Sequence, residues 1–219
     1  MVVYTAIFGR YDRPVRPIHT GGCRHVLITD QPSLHAPGWE MVVTNREFSN
    51  AARENRKYKL QPHAFFPGQR TIYIDGHMRL LMPPDALLAE LQARAGGDYP
   101  LFTLRHTLNH TLADEFDWVA KEGIVDKNIL AKQRERYERL NVPMTLPAAQ
   151  ACLLVSRPDS KPLYEVWWPE VREYAHRDQL SFPYARWVTN TDVYLCGRPH
   201  FRTLFKHRPH AKPQLKDAT

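Results

Sequence analysis

The sequence lacks long hydrophobic runs. No apolar stretch approaches the roughly 20 residues that a membrane-spanning helix requires. The opening MVVYTAIF has no basic segment, is too short for the apolar region of a signal peptide, and meets Arg10 almost at once. We therefore expect a cytoplasmic protein without a transmembrane segment, for which peripheral contact with a membrane stays open.

Cysteine is scarce as well. The chain of 219 residues has only three cysteines, Cys23, Cys152 and Cys196, which are far apart and form no C-x-x-C pair. This pattern argues against a disulfide framework and a zinc ribbon, so we expect reduced thiols that pack. Internal repeats and low-complexity blocks are also lacking. The length fits one sizeable domain with a real core.

Positive charge is in excess and is concentrated in two stretches. The net charge is +7. Residues 200–219 hold five cations against one acid, and residues 46–59 hold five against two. Such an excess favours an anionic partner such as a phosphate, a nucleic acid or an anionic lipid. Because the C-terminal stretch has little apolar content, we expect a domain over residues 1–200 and a basic, flexible tail over residues 201–219.

Strand patterns alternate with helix patterns along the chain. Apolar β-rich runs predict strands at residues 2–8, 25–30, 39–44, 71–74, 99–106 and 149–157. Capping residues, prolines and apolar periodicity predict helices at residues 49–61, 84–95, 111–123 and 126–141, and an interrupted helical region at residues 159–187. This alternation predicts an α/β domain with a mostly parallel mixed sheet flanked by helices.

The segment RTIYIDGHMRL contains the most informative local pattern. Ile72, Tyr73 and Ile74 form a short apolar run, and Asp75 ends it. Open α/β sheets bind ligands at the carboxyl ends of their strands, where this acid would lie. Gly76 allows a turn or a close approach, and His77 points the same way as Asp75 if the chain stays extended. The pair could bind one cation, or Asp75 could cap a turn beside a surface histidine.

Six segments together resemble the TOD/MUCI domain family. They occur in order as VYTAIFGRYD, CRHVLITD, ARENRKYKLQPH, IYIDGHM, WW and RDQLSF, and they span about residues 2 to 190. The resemblance implies a single domain with the GT-A type fold of enzymes that bind nucleotide sugars. It also implies a glycosyltransferase that uses a UDP-sugar or another nucleoside-diphosphate sugar as its donor.

The resemblance implies a donor site at the first two strands and the first helix. It assigns donor binding to Tyr4, Thr5, Arg10, Asp30, Arg56 and Lys59. Two of these cations, Arg56 and Lys59, are three residues apart and share a helix face, where they would contact the diphosphate. A solvated surface is the alternative for each cation taken singly.

The resemblance also places Asp75-Gly76-His77 at the metal-binding DxD motif. We therefore expect Asp75 and His77 to hold a divalent cation, Mn²⁺ or Mg²⁺, against the diphosphate. The family commonly has Asp-Gly-Asn here, and an imidazole favours a transition metal over magnesium. A third ligand from the C-terminal histidines, which are His200, His207 and His210, stays open.

Acceptor chemistry is expected at RDQLSF and at a histidine after a strand. The expected catalytic residues are Asp178, Gln179 and His106. Asp178 could instead be a helix cap paired with Arg177, and His106 an ordinary partly buried histidine. Glu115 matches a family acid but could equally lie at the surface. The Trp167–Trp168 pair could stack on a sugar, although core packing is the better expectation.

Two functions of different classes follow. The first is a metal-assisted glycosyltransferase whose hydroxyl acceptor belongs to a cell-surface glycan or to a hydroxymethylated DNA base. The second is a non-catalytic basic module that binds nucleic acid or acts as a scaffold. The departure at His77 and the basic C-terminal stretch support the second function.

Overall fold

A mixed sheet of seven strands organises the chain. The computed structural model describes residues 1–197 and 201–208. Its strands are β1 (Val2–Ile7), β2 (Arg24–Thr29), β3 (Glu40–Val43), β4 (Thr71–Ile74), β5 (Met78–Leu80), β6 (Leu101–Arg105), β7 (Ala149–Ser156), β8 (Val193–Cys196) and β9 (Phe205–His207). The sheet order is β3-β2-β1-β4-β7-β6-β8, and β5 pairs separately with β9.

Helices cover both faces of this sheet. They are α1 (Ala51–Lys59), α2 (Pro62–Phe65), α3 (Pro84–Ala95), α4 (Leu112–Glu122), α5 (Lys127–Arg139), α6 (Lys161–Glu173), α7 (Asp178–Thr189) and α8 (Phe201–Leu204). Only β7 runs antiparallel to its neighbours within the large sheet; the other pairings there are parallel. The predicted α/β fold with a mostly parallel mixed sheet is therefore confirmed.

The core lies on both sides of the central strands. Every residue of β1 and β4 is buried, as expected for strands that are covered on both faces. Successive side chains of β1 face opposite sides, so Tyr4 joins the cluster that contains Trp167 of α6, while Val3 joins the cluster that contains Leu87 of α3. Trp168 is also in the first cluster, which agrees with the packing alternative for this pair.

Several elements differ from the sequence-based expectations. The prolines Pro169 and Pro183 lie inside α6 and α7, and the helical region breaks instead between Glu173 and Asp178. Within the predicted tail, β9 pairs antiparallel with β5, and Leu204 and Phe205 are buried. Residues 209–219 lie outside the described residues, so the flexibility expected of them stays a prediction.

Two further expectations concern reduced thiols and membrane-spanning helices. All three cysteines are free thiols, and Cys152 and Cys196 are buried. In the part of the chain that the structure describes, no helix combines the length and the apolar character that crossing a membrane demands.

Candidate active site

Four parallel strands end at the same edge of the sheet. Because β1, β2, β4 and β6 run in one direction, the residues that follow them lie along one edge. Those residues include Gly9, Asp30, Asp75 and His106. This is the carboxyl edge, where open α/β sheets bind their ligands. Polar residues predicted from the sequence therefore meet here.

Asp30 ties the loop after β1 to the end of β2. Its two carboxylate oxygens accept hydrogen bonds from the Gly9 N–H at 3.2 and 3.3 Å, and Arg46 pairs with it at 3.1 Å. Gly9 has φ +65°, and a Cβ there would lie 2.9 Å from the Ala51 Cβ, so the turn requires glycine. The exposed Arg10 follows with φ +59°. Asp30 thus holds the shape of the predicted nucleotide loop.

Tyr4 and Thr5 lie below this edge rather than on it. The Tyr4 side chain is buried, and its hydroxyl donates to the Lys59 carbonyl at 2.9 Å. Thr5 is fully buried, and its Oγ1 has no hydrogen-bond partner among the described residues. The structure does not bring these two predicted donor residues to the surface of the site, and their donor role stays a prediction.

Helix α1 contributes two cations that meet a carboxylate of α7. Its N-cap Asn50 accepts a hydrogen bond from the Arg53 N–H at 2.9 Å. Lys59 Nζ lies 2.5 Å from Asp178 Oδ2, and Arg56 Nε lies 3.4 Å from Asp178 Oδ1. The Lys59 and Asp178 side chains are 2% exposed, whereas 22% of the Arg56 side chain is exposed. Arg56 is therefore the cation of this pair that a ligand can reach.

Asp178, Arg56 and Lys59 stabilise one another in their charged forms. Burial raises the pKa of Asp178, but the nearby Arg56 and Lys59 lower it more, so the pKa lies well below its usual range. Burial lowers the pKa of Arg56, while Asp178, Tyr73 and Asp75 raise it more, and the net shift is upward. Asp178 therefore occupies a charge-pairing position away from solvent, and its predicted catalytic role stays a prediction.

Asp75 directly follows β4, and a chain of two hydrogen bonds fixes its carboxylate. The Tyr73 hydroxyl donates to Asp75 Oδ1 at 3.0 Å, and Asn55 Nδ2 donates to the Tyr73 hydroxyl at 3.1 Å. Asp75 is partly exposed and acts electrostatically on Arg56. The expected proximity of a carboxylate at the tip of β4 to the basic helix is thus present.

The Asp-Gly-His segment forms a turn instead of staying extended. The Met78 N–H donates to the Asp75 carbonyl at 2.9 Å, which closes the turn between β4 and β5. Gly76 packs closely on Ile7, since a Cβ at this position would lie 2.5 Å from Ile7 Cδ1 and the Ile7 side chain would have to shift. His77 Nε2 lies 3.1 Å from Nδ1 of His207 on β9, and His77 Nδ1 lies 3.8 Å from Asp12 Oδ2. Of the C-terminal histidines considered above, His207 is the one described beside His77; His200 and His210 lie outside the described residues.

No ready-made metal cluster is present in residues 1–197 and 201–208. No three His, Cys, Asp or Glu side chains are grouped there in an arrangement that could hold a metal ion. The two imidazole nitrogens of His77 and His207 are at hydrogen-bond distance, and their 3.1 Å separation is also close to that of two metal ligands at right angles. Ligand atoms about 2.1 Å from a metal lie about 3.0 Å apart in that geometry.

His106 and Gln179 are brought together in a buried polar cluster. His106 Nδ1 accepts hydrogen bonds from the Leu108 and Asn109 N–H groups at 3.3 and 2.8 Å, so the neutral ring carries its proton on Nε2. The ring also hydrogen-bonds to Gln179, and its Nε2 lies 3.8 Å from Glu115 Oε2. Burial lowers the pKa of His106, and the ring is therefore neutral near pH 7.

Two residues hold this cluster in place. Arg177 donates to Glu115 Oε1 at 2.8 Å and to Gln179 Oε1 at 2.6 Å, and Asn109 donates to Glu115 Oε2 at 2.6 Å. Glu115 is completely buried, so its surface alternative is wrong. The His106 ring has no free lone pair at Nδ1, and the arrangement suits hydrogen-bond donation through Nε2 rather than proton abstraction.

Sequence patterns alone do not indicate most of the residues that support the site. Tyr73 lies two residues before Asp75 on the same face of an extended strand, which is a signal that the sequence contained. Asn55 precedes Arg56, but its contacts with β1 and β4 depend on how α1 packs. Asn109 lies in the loop after β6, and no spacing rule connects it with Glu115.

Comparisons with known proteins identify the family of the chain. The model of the TOD1/MUCI70, glycosyltransferase-like domain matches residues 28–210. The probable hexosyltransferase MUCI70 of Arabidopsis thaliana is 25% identical over 160 residues, which are 68% of this chain and 27% of that protein. The chain thus spans about a quarter of the length of this curated relative. Because the family model covers well over half of the 219 residues, the chain belongs to the TOD1/MUCI70 glycosyltransferase-like domain family.

Proposed function

We propose that the chain is a metal-assisted glycosyltransferase that moves a hexose from a nucleoside diphosphate to a hydroxyl acceptor. Family membership supports a nucleotide-sugar donor, and the name of the Arabidopsis relative supports a hexose. The observation that carries the proposal is the position of Asp75. It stands at the carboxyl end of β4, and hydrogen bonds connect it with the helix that bears Arg56.

The donor would lie along the ends of β1, β2 and β4. The loop at Gly9 and Arg10, fixed by Asp30, offers a backbone turn and an exposed guanidinium to the nucleotide. Arg56 is partly exposed and would contact the diphosphate, for which a planar guanidinium is well suited. Lys59 is buried, so it would act through its pairing with Asp178 rather than by direct contact.

A divalent cation would bind beside Asp75. The residues proposed to hold it are Asp75, His77 and His207. The two histidine nitrogens are at hydrogen-bond distance, 3.1 Å, and Asp75 is not grouped with them in the described residues, so these side chains would have to come together around the cation. Imidazole ligands favour Mn²⁺ over Mg²⁺. When bound, the cation would neutralise charge that builds on the leaving diphosphate. Tyr73 orients Asp75, and Asp12 lies beside the other nitrogen of His77.

The acceptor hydroxyl would approach the cluster of His106 and Gln179. His106 donates through Nε2, and Gln179 presents an amide that Arg177 holds in place. Both are hydrogen-bonding groups of the kind that orient a sugar hydroxyl. A glycan and a hydroxymethylated DNA base both supply such a hydroxyl, and transfer assays with each would distinguish them.

The test of this function is a matched pair of acid substitutions. Asp75→Asn is expected to abolish hexose transfer and to lower the affinity for UDP with Mn²⁺. Asp98→Asn is the control, because it also removes one carboxylate, which is paired with Arg70 at 2.6 Å, but Asp98 precedes β6 at the opposite edge of the sheet. Mass spectrometry of glycan and DNA acceptors incubated with UDP-hexoses measures the transfer. Equal transfer by the two variants would exclude the proposed role of Asp75.

A further inference from the structure

The hydroxyl of Tyr73 links the carboxylate at the end of β4 to helix α1. It donates to Asp75 Oδ1 at 3.0 Å and accepts from Asn55 Nδ2 at 3.1 Å. Asn55 is itself fixed, since its Nδ2 also donates to the Ala6 carbonyl at 2.5 Å and its Oδ1 accepts from Arg56 Nη1 at 2.7 Å. One hydroxyl therefore couples β1, β4 and α1 at the candidate site.

The ring that carries this hydroxyl cannot move freely. Tyr73 is 1% exposed. The Tyr4 ring packs edge-on against it with centroids 5.3 Å apart, and Lys59 Nζ lies 5.1 Å from its centroid. A buried ring with contacts on several sides holds its hydroxyl at one place, so the Asp75 oxygen bonded to it is also held.

We propose that Tyr73 is a positioning residue that fixes the Asp75 carboxylate in the orientation that binds the metal–diphosphate part of the donor. This inference rests on the proposed glycosyltransferase function and assigns a role to a residue that does not itself contact the donor. Hydrogen-bond partners that orient a metal ligand typically contribute about 10- to 100-fold to metal affinity or activity. Tyr73 is such a hydrogen-bond partner of Asp75.

The chain contains a close match for the control substitution. The hydroxyl of the fully buried Tyr137 donates to a carboxylate, Glu170 Oε2 at 3.1 Å, and accepts from an amide, Gln133 Nε2 at 3.0 Å. It lies on α5, in the core cluster with Phe116 of α4. Tyr73→Phe and Tyr137→Phe therefore remove equivalent hydrogen bonds, and we expect them to lower the melting temperature by similar amounts.

The affinities for Mn²⁺ and for UDP in the presence of Mn²⁺, measured by calorimetric titration, test the proposal. We expect Tyr73→Phe to weaken both by about 10- to 100-fold. Tyr137→Phe is expected to leave both unchanged. In an Asp75→Asn background, adding Tyr73→Phe is expected to have no further effect, because the group that it positions is already altered.

The outcomes separate this inference from the function on which it rests. Wild-type affinity in Tyr73→Phe, with Asp75→Asn impaired, would overturn the positioning role and leave the proposed function intact. Absence of Mn²⁺–UDP binding by the wild-type chain would overturn both. If Tyr73→Phe does not fold, Asn55→Ala replaces it, since it removes the donor to the same hydroxyl. Unchanged affinity in that variant would likewise overturn the proposal.

Discussion

Single side chains at the site contribute to the stability of the fold, and Asp178 illustrates this best. It is buried between Arg56 and Lys59. Asp178→Asn would leave these two cations without their counter-ion, and such a change typically costs about 3–5 kcal/mol of stability. Urea unfolding at neutral pH measures this loss. Asp159→Asn is the control, because its pairing with Arg157 is exposed and worth at most about 1 kcal/mol.

Asp178 also makes the stability of the protein depend on pH. The folded-state pKa of Asp178 is lowered, chiefly because Arg56 and Lys59 outweigh the effect of burial. Its contribution is therefore fully present above the unfolded-state pKa of about 3.9, and it is lost as the pH falls below that value. Unfolding measured from neutral pH into acid should show this loss in the wild type and a flatter acid limb in Asp178→Asn. An identical acid limb in the two proteins would contradict the assignment.

Among the secondary-structure elements, α4 depends on its first turn. The Thr111 Oγ1 accepts from the Asp114 N–H at 3.2 Å, and Asp114 Oδ2 accepts from the Thr111 N–H at 2.9 Å, which is a capping box. The next residue, Glu115, accepts a hydrogen bond from Arg177, which also donates to Gln179. The start of this helix therefore also places a residue of the candidate site.

Replacing the capping residue Thr111 should change the stability of the protein through α4. Thr111→Ala is expected to lower the free energy of unfolding by about 1 kcal/mol, because one N–H loses its acceptor. Thr111→Ser keeps the hydroxyl and should retain most of that stability. Chemical denaturation of both variants measures the difference, and equal losses in the two would show that the cap contributes little.

Most elements could be predicted because their signals are local. The strand that ends at Asp75 and the helix that begins after Asn50 have apolar patterns or caps within a few residues. The strands β5, β8 and β9 were missed because each has three or four residues and is defined by a distant partner. The pairing of Asp178 with Lys59 was missed for the same reason, since it depends on the packing of α7 against α1.

At the scale of the whole molecule, many of the positively charged side chains are paired with groups of the same chain. All five cations of residues 46–59 have partners within the chain: Arg46 with Asp30, Arg53 with the Tyr174 carbonyl, Arg56 and Lys59 with Asp178, and Lys57 with Glu47. This stretch therefore resembles a scaffold for a small anionic ligand more than an open surface for nucleic acid. The observation favours the transferase over the non-catalytic module.

A comparison of two ligands tests that preference on the intact chain. UDP with Mn²⁺ is expected to raise the melting temperature, since a ligand at about 100 times its dissociation constant stabilises by about 2.7 kcal/mol. Duplex DNA is expected to have a small effect at about 50 mM salt and none at about 200 mM, because contacts with phosphates alone weaken steeply with salt. A DNA effect that persists at the higher salt, together with no effect of Mn²⁺–UDP, would instead support the nucleic-acid-binding module. In that case the paired cations of α1 would have to exchange Asp178 for phosphate, and Asp178→Asn would strengthen the binding of DNA.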